Sequence, residues 1–158
     1  MNTPKVYLET TLFNFYFDKE RDAHVYTMKL FNEIRSGKYE FYTSTYVTDE
    51  LAEAPKAKHD KMLGLIDEYG IEVLVPNDET VRIADIYIAQ GVIPQKHRTD
   101  ALHIAVATVY DLDIIVSMNF KHIVKRKTIL ATGDINKLNG YRAVEIYSPM
   151  EGVEDENS

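Results

Sequence analysis

The sequence predicts an α/β domain in three layers, α/β/α, around a mostly parallel sheet of four to five strands. Two observations carry this. Strand-like runs at 6–8, 39–44, 71–75 and 114–117 are separated by helical patterns, and strands joined by helical crossovers lie parallel in one sheet. The segment 99–123, TDALHIAVATVYDLDIIVSMNFKHI, passes from a helix that is apolar on nearly every face into a buried strand and then a polar turn.

In order, 6–8 is a short buried strand ending in Glu9-Thr10-Thr11, and 12–17, dense in aromatics, is a short helix packing on the sheet. Asp22 caps a helix to about Ser36, with Ala23, Tyr26, Leu30 and Ile34 on one face and Gly37 as its stop. Residues 39–44 alternate in strand fashion, and 46–54 are helical up to Pro55. A further helix at 59–69 is closed by Gly70, and 71–75 is the next strand. Asn77 or Asp78 caps the helix 79–90, with Gly91 at its C-terminus. Residues 94–98 form a loop into the helix that begins at Thr99, followed by the strand 114–117 and the turn 118–122. Beyond Ile123 the pattern weakens, and 143–147 is a last, edge-like strand. With no internal repeat and no linker, 1–150 read as a single domain, and 151–158 as an acidic, disordered tail.

The bulk properties exclude whole classes of function. At 158 residues the chain can bury about 68–70% of its unfolded surface, enough for a core of its own. No apolar run approaches the roughly 20 residues that span a bilayer, and the N-terminus has no signal-peptide pattern, so the expectation is a cytoplasmic protein without membrane contact. Zero cysteines exclude disulfides, thiolate metal sites and cysteine nucleophiles. A net charge of −7 argues against a general nucleic-acid coat. Locally the balance reverses: Lys96, His97, Arg98, Lys121, His122, Lys125, Arg126 and Lys127 flank the 99–123 segment, as a polyanionic ligand would require. No G-x-S-x-G elbow and no Gly-rich phosphate loop is present. His103, near one turn from Asp100, reads first as a satisfied core histidine. Phe13, Phe15, Tyr16 and Phe17 read as core packing or a dimer surface ahead of a base-stacking platform.

Three acids fall where the rim of such a sheet collects them. Glu9 follows the first strand, and Asp100 starts the apolar helix. On the helix 46–54, Val47, Leu51 and Ala54 form the apolar stripe. At 100° per residue Glu50 lies about 60° from that stripe, whereas Asp49 and Glu53 point away. Three inward carboxylates sharing a pocket raise one another's pKa unless a cation joins them, and oxygen-only ligation with substrate phosphates suits Mg²⁺ (or Mn²⁺) rather than Zn²⁺.

Taken together, KVYLETTLF at 5–13, STYVTDELAEAP at 44–55 and RTDALHIAVATVYDLDIIVSMNFKHI at 98–123 resemble a PIN domain, the metal-dependent ribonuclease fold of many toxin–antitoxin toxins. The resemblance spans most of the chain, and its last segment is the specific one. It implies metal-binding acids at Glu9, Glu50 and Asp100, with Thr10 as a hydroxyl contact. Two departures stand out. The family's first acid is usually Asp, where this chain has Glu9. Its fourth acid would fall in the 119–122 turn, where this chain offers Asn119 and His122. Asn119 keeps an oxygen but loses a charge, and for His122 a phosphate contact or strand-end packing ranks ahead of direct ligation.

The expected function is therefore a Mg²⁺- or Mn²⁺-dependent endoribonuclease hydrolysing RNA phosphodiester bonds, the toxin of a toxin–antitoxin pair. Glu9, Glu50 and Asp100 would hold the ion, and Asn119 would orient it or the water. Lys96, Arg98 and Lys121, with Thr10 and His122, would contact the RNA. A small antitoxin and a second copy of the chain in a homodimer are the expected protein partners. The alternative is a degenerate PIN-like module that binds RNA or a protein without cutting, favoured by the missing fourth acid and the acidic pI near 5.2.

Overall fold

Val6, Tyr7 and Leu8 are wholly buried, because the strand they form, β1 (Lys5–Leu8), is the middle of the sheet. A parallel strand covered on both faces reads as a continuous apolar run rather than an alternating one. β1 pairs in parallel with β2 (Glu40–Ser44) on one side and β4 (Ile114–Val116) on the other. β3 (Glu72–Leu74) lies outside β2, and β5 (Glu145–Tyr147) outside β4. The five strands are all parallel, in the order β3-β2-β1-β4-β5. The structure is a computed structural model that describes residues 3–151. Of the expected acidic tail only Glu151 falls among them.

Seven helices flank this sheet among the described residues. α1 (Thr10–Phe17), α2 (Ala23–Arg35), α3 (Thr45–Leu51) and α4 (Lys56–Tyr69) pack on one another, and α5 (Asp78–Ala89), α6 (Arg98–Val109) and α7 (Arg126–Leu138) form a second group. The chain builds outward from β1 to β3, then crosses back over two strands to begin again at β4. Strand order thus reverses between β1 and β4. In open α/β sheets the crevice outside the carboxyl ends of the strands at such a reversal is where ligands bind. Glu9 leaves one lip of that crevice and Ser117 the other.

Local chemistry sets the elements. Asn77 caps α5 by accepting from the Thr80 amide at 3.0 Å, with Asp78 and Glu79 in the first turn, where the helix dipole favours acids. Gly70 ends α4 at φ 64°, a conformation that costs a side-chain-bearing residue energy. Every residue of α6 from Ala101 to Thr108 is buried, as its all-round apolarity requires.

Two expectations are corrected. A thirteen-residue helix, α7, occupies the stretch where the pattern weakens, because its buried face carries Thr128, Thr132 and Asn136 alongside Ile135. α2 turns Thr27, Leu30 and Phe31 inward and leaves Tyr26 43% exposed, so its core face is rotated from the expected one. Of the two readings open for the aromatic group near α1, core packing describes Phe13, which is wholly buried, and Tyr16, which meets Phe31 and Tyr69 edge to face at centroid distances of 5.0 and 6.0 Å.

Candidate functional site

The crevice between β1 and β4 is stitched together by one carboxylate. Glu9 is the N-cap of α1, and its Oε1 accepts from the Thr11 amide at 3.2 Å. The same oxygen accepts from the Thr11 hydroxyl and the Ser117 hydroxyl, each at 2.6 Å. Those hydroxyls in turn accept from the other lip, Thr11 Oγ1 from the Met118 amide at 2.8 Å and Ser117 Oγ from the Asn119 amide at 2.9 Å. Burial pushes the Glu9 carboxyl above its usual range, against the pull of His103 and these donors.

Glu50 reaches the same rim from α3. Its Oε1 accepts from the Thr10 hydroxyl at 2.6 Å and lies 2.7 Å from Nε2 of His103. Burial works to raise its pKa, but the hydrogen bonds from His103 and Thr10 outweigh it and hold Glu50 low. Asp49 and Glu53 are exposed, as the helical geometry requires.

His103 has no exposed surface, and its Nδ1 lies 2.6 Å from the Tyr7 hydroxyl, which meets Ser44 Oγ at 2.7 Å. Ser44 Oγ also accepts from the Tyr46 amide at 3.2 Å. Every proton in this chain finds an acceptor when Ser44 donates to Tyr7, Tyr7 to His103 Nδ1, and His103 Nε2–H to Glu50. Burial holds the Tyr7 hydroxyl well above its usual pKa, so it stays protonated as a donor. His103 is the satisfied core histidine the sequence suggests, and one of its two partners is a site acid. Its spacing of three from Asp100 is legible, but Glu50, 53 residues away, is not.

Asp100 sits in the first turn of α6. Burial raises its pKa, while His103, a hydrogen bond with Asn119 and the nearby His122 pull the other way, and Glu50 adds to the rise. Asn119 spends its Oδ1 on the His122 amide at 3.0 Å. The group it presents to Asp100 is thus its NH₂.

The flanking cations divide. Lys96 and Lys121 are exposed and free to meet phosphates. Arg98 is ion-paired with Asp85 on α5, and Lys127 donates to the Gly91 carbonyl at 3.1 Å. Thr10, the expected hydroxyl contact, donates to Glu50.

Each of Glu9 and Glu50 commits one oxygen to protein donors and leaves the other, so the donor set fits a hard, oxygen-loving cation. The trio does not close on one ion directly. Among the described residues, the acid or histidine group whose ligating atoms all lie within 4.8 Å of one another is His97, Asp100 and His122. An ion shared by Glu9, Glu50 and Asp100 would reach some of them through water, as Mg²⁺ commonly does.

No protein-family model matches this chain, and no curated protein matches it. A chain in the crystal structure of VapBC2 from Rickettsia felis bound to a DNA fragment from their promoter is similar, with 12% identity, over 91% of this chain and 98% of that one, at a TM-score of 0.56. The likeness is one of fold.

Proposed function

We propose that this protein is a Mg²⁺- or Mn²⁺-dependent endoribonuclease of PIN type, the toxin of a toxin–antitoxin pair. The observation that carries the reading is the convergence of Glu9, Glu50 and Asp100, from three separate elements, on the crevice where the strand order reverses. The fold shared with a VapBC2 chain and the PIN-like segments point the same way.

In this reading Glu50, held ionised by His103 and Thr10, and Asp100, steadied by Asn119, would supply oxygens to the ion together with Glu9. Lys96 and Lys121 hold phosphates on either side. A bound divalent ion acidifies water and neutralises charge on the phosphoryl oxygens. Water adds to phosphorus as the bond to the leaving sugar oxygen breaks, and the proton the water gives up ends on that oxygen. The protein partner is a small antitoxin, which would neutralise the acidic pocket most cheaply with an Arg or Lys. Coexpression of the two, followed by affinity purification of one, should recover both.

The deciding experiment compares wild type with Asp100→Asn on mixed-sequence RNA in Mg²⁺ or Mn²⁺. Cleavage should vanish while the fold, followed by circular dichroism, stays. Undiminished activity in a highly purified mutant would sink the assignment. The second reading, a non-cleaving RNA- or protein-binding module, is favoured by the saturation of Glu9 Oε1 with three protein donors. It predicts RNA or protein capture by a wild type that cuts nothing.

A further inference from the structure

His97 ends the short 3₁₀ turn Gln95–His97 that feeds α6, Asp100 lies three residues on, and His122 approaches from the loop after β4. Their ligating atoms all fall within 4.8 Å of one another. The two imidazole rings lie 4.0 Å apart between centroids and 32° from parallel. Nε2 of His122 is shut off from water and has no hydrogen-bond partner, a state that is costly when nothing answers it.

We propose that His97, Asp100 and His122 bind one borderline transition-metal ion of the Zn²⁺ or Co²⁺ class, at a nitrogen-containing site beside the acidic crevice. Two imidazoles and a carboxylate are a donor set that Mg²⁺ avoids and Zn²⁺, Co²⁺ and Ni²⁺ favour. Ligands bonded at 2.0–2.1 Å around a tetrahedral ion stand about 3.4 Å apart, so from a present spacing of at most 4.8 Å the ligating atoms need approach by no more than about 1.4 Å. Three protein ligands leave a fourth position open to water or to a phosphate oxygen. The site shares Asp100 with the proposed nuclease centre but rests on the two histidines, which that centre does not require.

Co²⁺ titrated into the full chain, stripped of metal by chelator, should bind one equivalent. It should show the visible absorption of an ion with nitrogen ligands, and excess Mg²⁺ should not displace it. His97→Gln and His122→Gln should each weaken Co²⁺ binding by about tenfold or more, the least that loss of a ligand costs when outer-shell changes alone cost 10–100-fold. Glu50→Gln should leave the spectrum in place. In the wild type, Zn²⁺ should shift the imidazole nitrogen resonances of His97 and His122, a readout that does not depend on any variant folding. Absent bands, equal Co²⁺ binding in both histidine variants, or unmoved resonances would each overturn the site. Cleavage in Mg²⁺ with no Co²⁺ bands would defeat this site alone. Bands in a protein that cuts no RNA would defeat only the nuclease reading.

Discussion

The acids of the crevice carry opposite electrostatic loads, and pH separates them. Glu9 and Asp100 are raised by burial above their ordinary values of 4.5 and 3.8. An acid raised in the folded state supports folding fully below its ordinary value, and that support is lost as pH rises through the raised one. In chelator at neutral pH, Glu9→Gln and Asp100→Asn should therefore melt higher than wild type, and the gain should fade as the pH falls below those ordinary values. Glu50 is lowered, so its contribution is present above 4.5 and lost as pH falls through its folded value. Glu50→Gln should destabilise at neutral pH, with the loss shrinking in acid. Melting curves across pH check all three. Asn119→Asp keeps an acceptor for the His122 amide but sets a second anion against Asp100. It should melt lower without metal and bind Mn²⁺ several-fold more tightly, by about 1 kcal/mol once repulsion and desolvation are subtracted. Calorimetric titration decides, and unchanged or weaker binding would mean that this side chain does not face the ion. Tyr7→Phe leaves His103 Nδ1 and the Ser44 hydroxyl unanswered in the core, a loss of about 1–3 kcal/mol readable by urea unfolding.

Among the elements, the buried face of α2 gives a direct test of packing. Phe31→Ala should cost about 3–5 kcal/mol, since it empties the centre of an aromatic cluster. Tyr26→Ala on the exposed face should stay within about 0.5 kcal/mol. Urea melts of the two variants should differ accordingly, whereas the face read from sequence would have Tyr26 inside. The sequence misplaces that face because Thr27, a polar residue, is buried and satisfies its hydroxyl on the Ala23 carbonyl at 2.9 Å. α7 escapes notice for the same reason. Thr128, Thr132 and Asn136 line its inner side and spend their polar groups on the His122 and Thr128 carbonyls and the Thr108 hydroxyl. Hydrophobic periodicity cannot register a face whose burial is compensated by hydrogen bonds. Where burial is uncompensated, reading succeeds: Val6, Tyr7 and Leu8 of β1, all of β4, and the stretch 101–107 of α6 apart from His103 are apolar, and Val47 and Leu51 fix the rotation of α3 and with it the inward turn of Glu50. The partners of the acids are legible only where they are near in chain. Thr11 lies two residues from Glu9, but Ser117 lies 108 away and only the sheet brings it there. His97 stands three residues before Asp100, a spacing that marks neighbours on one helical face, yet nothing local marks His122 as its companion.

For the whole molecule, the proposed metal site in the crevice would couple metal to folding. An ion that binds only the folded chain adds RT ln(1 + [L]/Kd), so millimolar Mn²⁺ should raise the melting temperature, and Asp100→Asn should blunt the rise. A melting curve indifferent to Mn²⁺ over a wide range would remove the acids as a metal site. The central place of β1 has a further consequence, for synthesis. The first strand to leave the ribosome must wait for its partner β4, whose last residue is Val116, and Glu9 waits for Ser117 to close its cap. At translation speeds of 5–20 residues per second, those 108 residues take roughly 5–20 s. Throughout that interval the nascent chain carries its acids without the pocket that gathers them. A protein that cuts RNA would thus emerge harmless to the message and ribosome producing it, armed only once Ser117 is outside to meet Glu9.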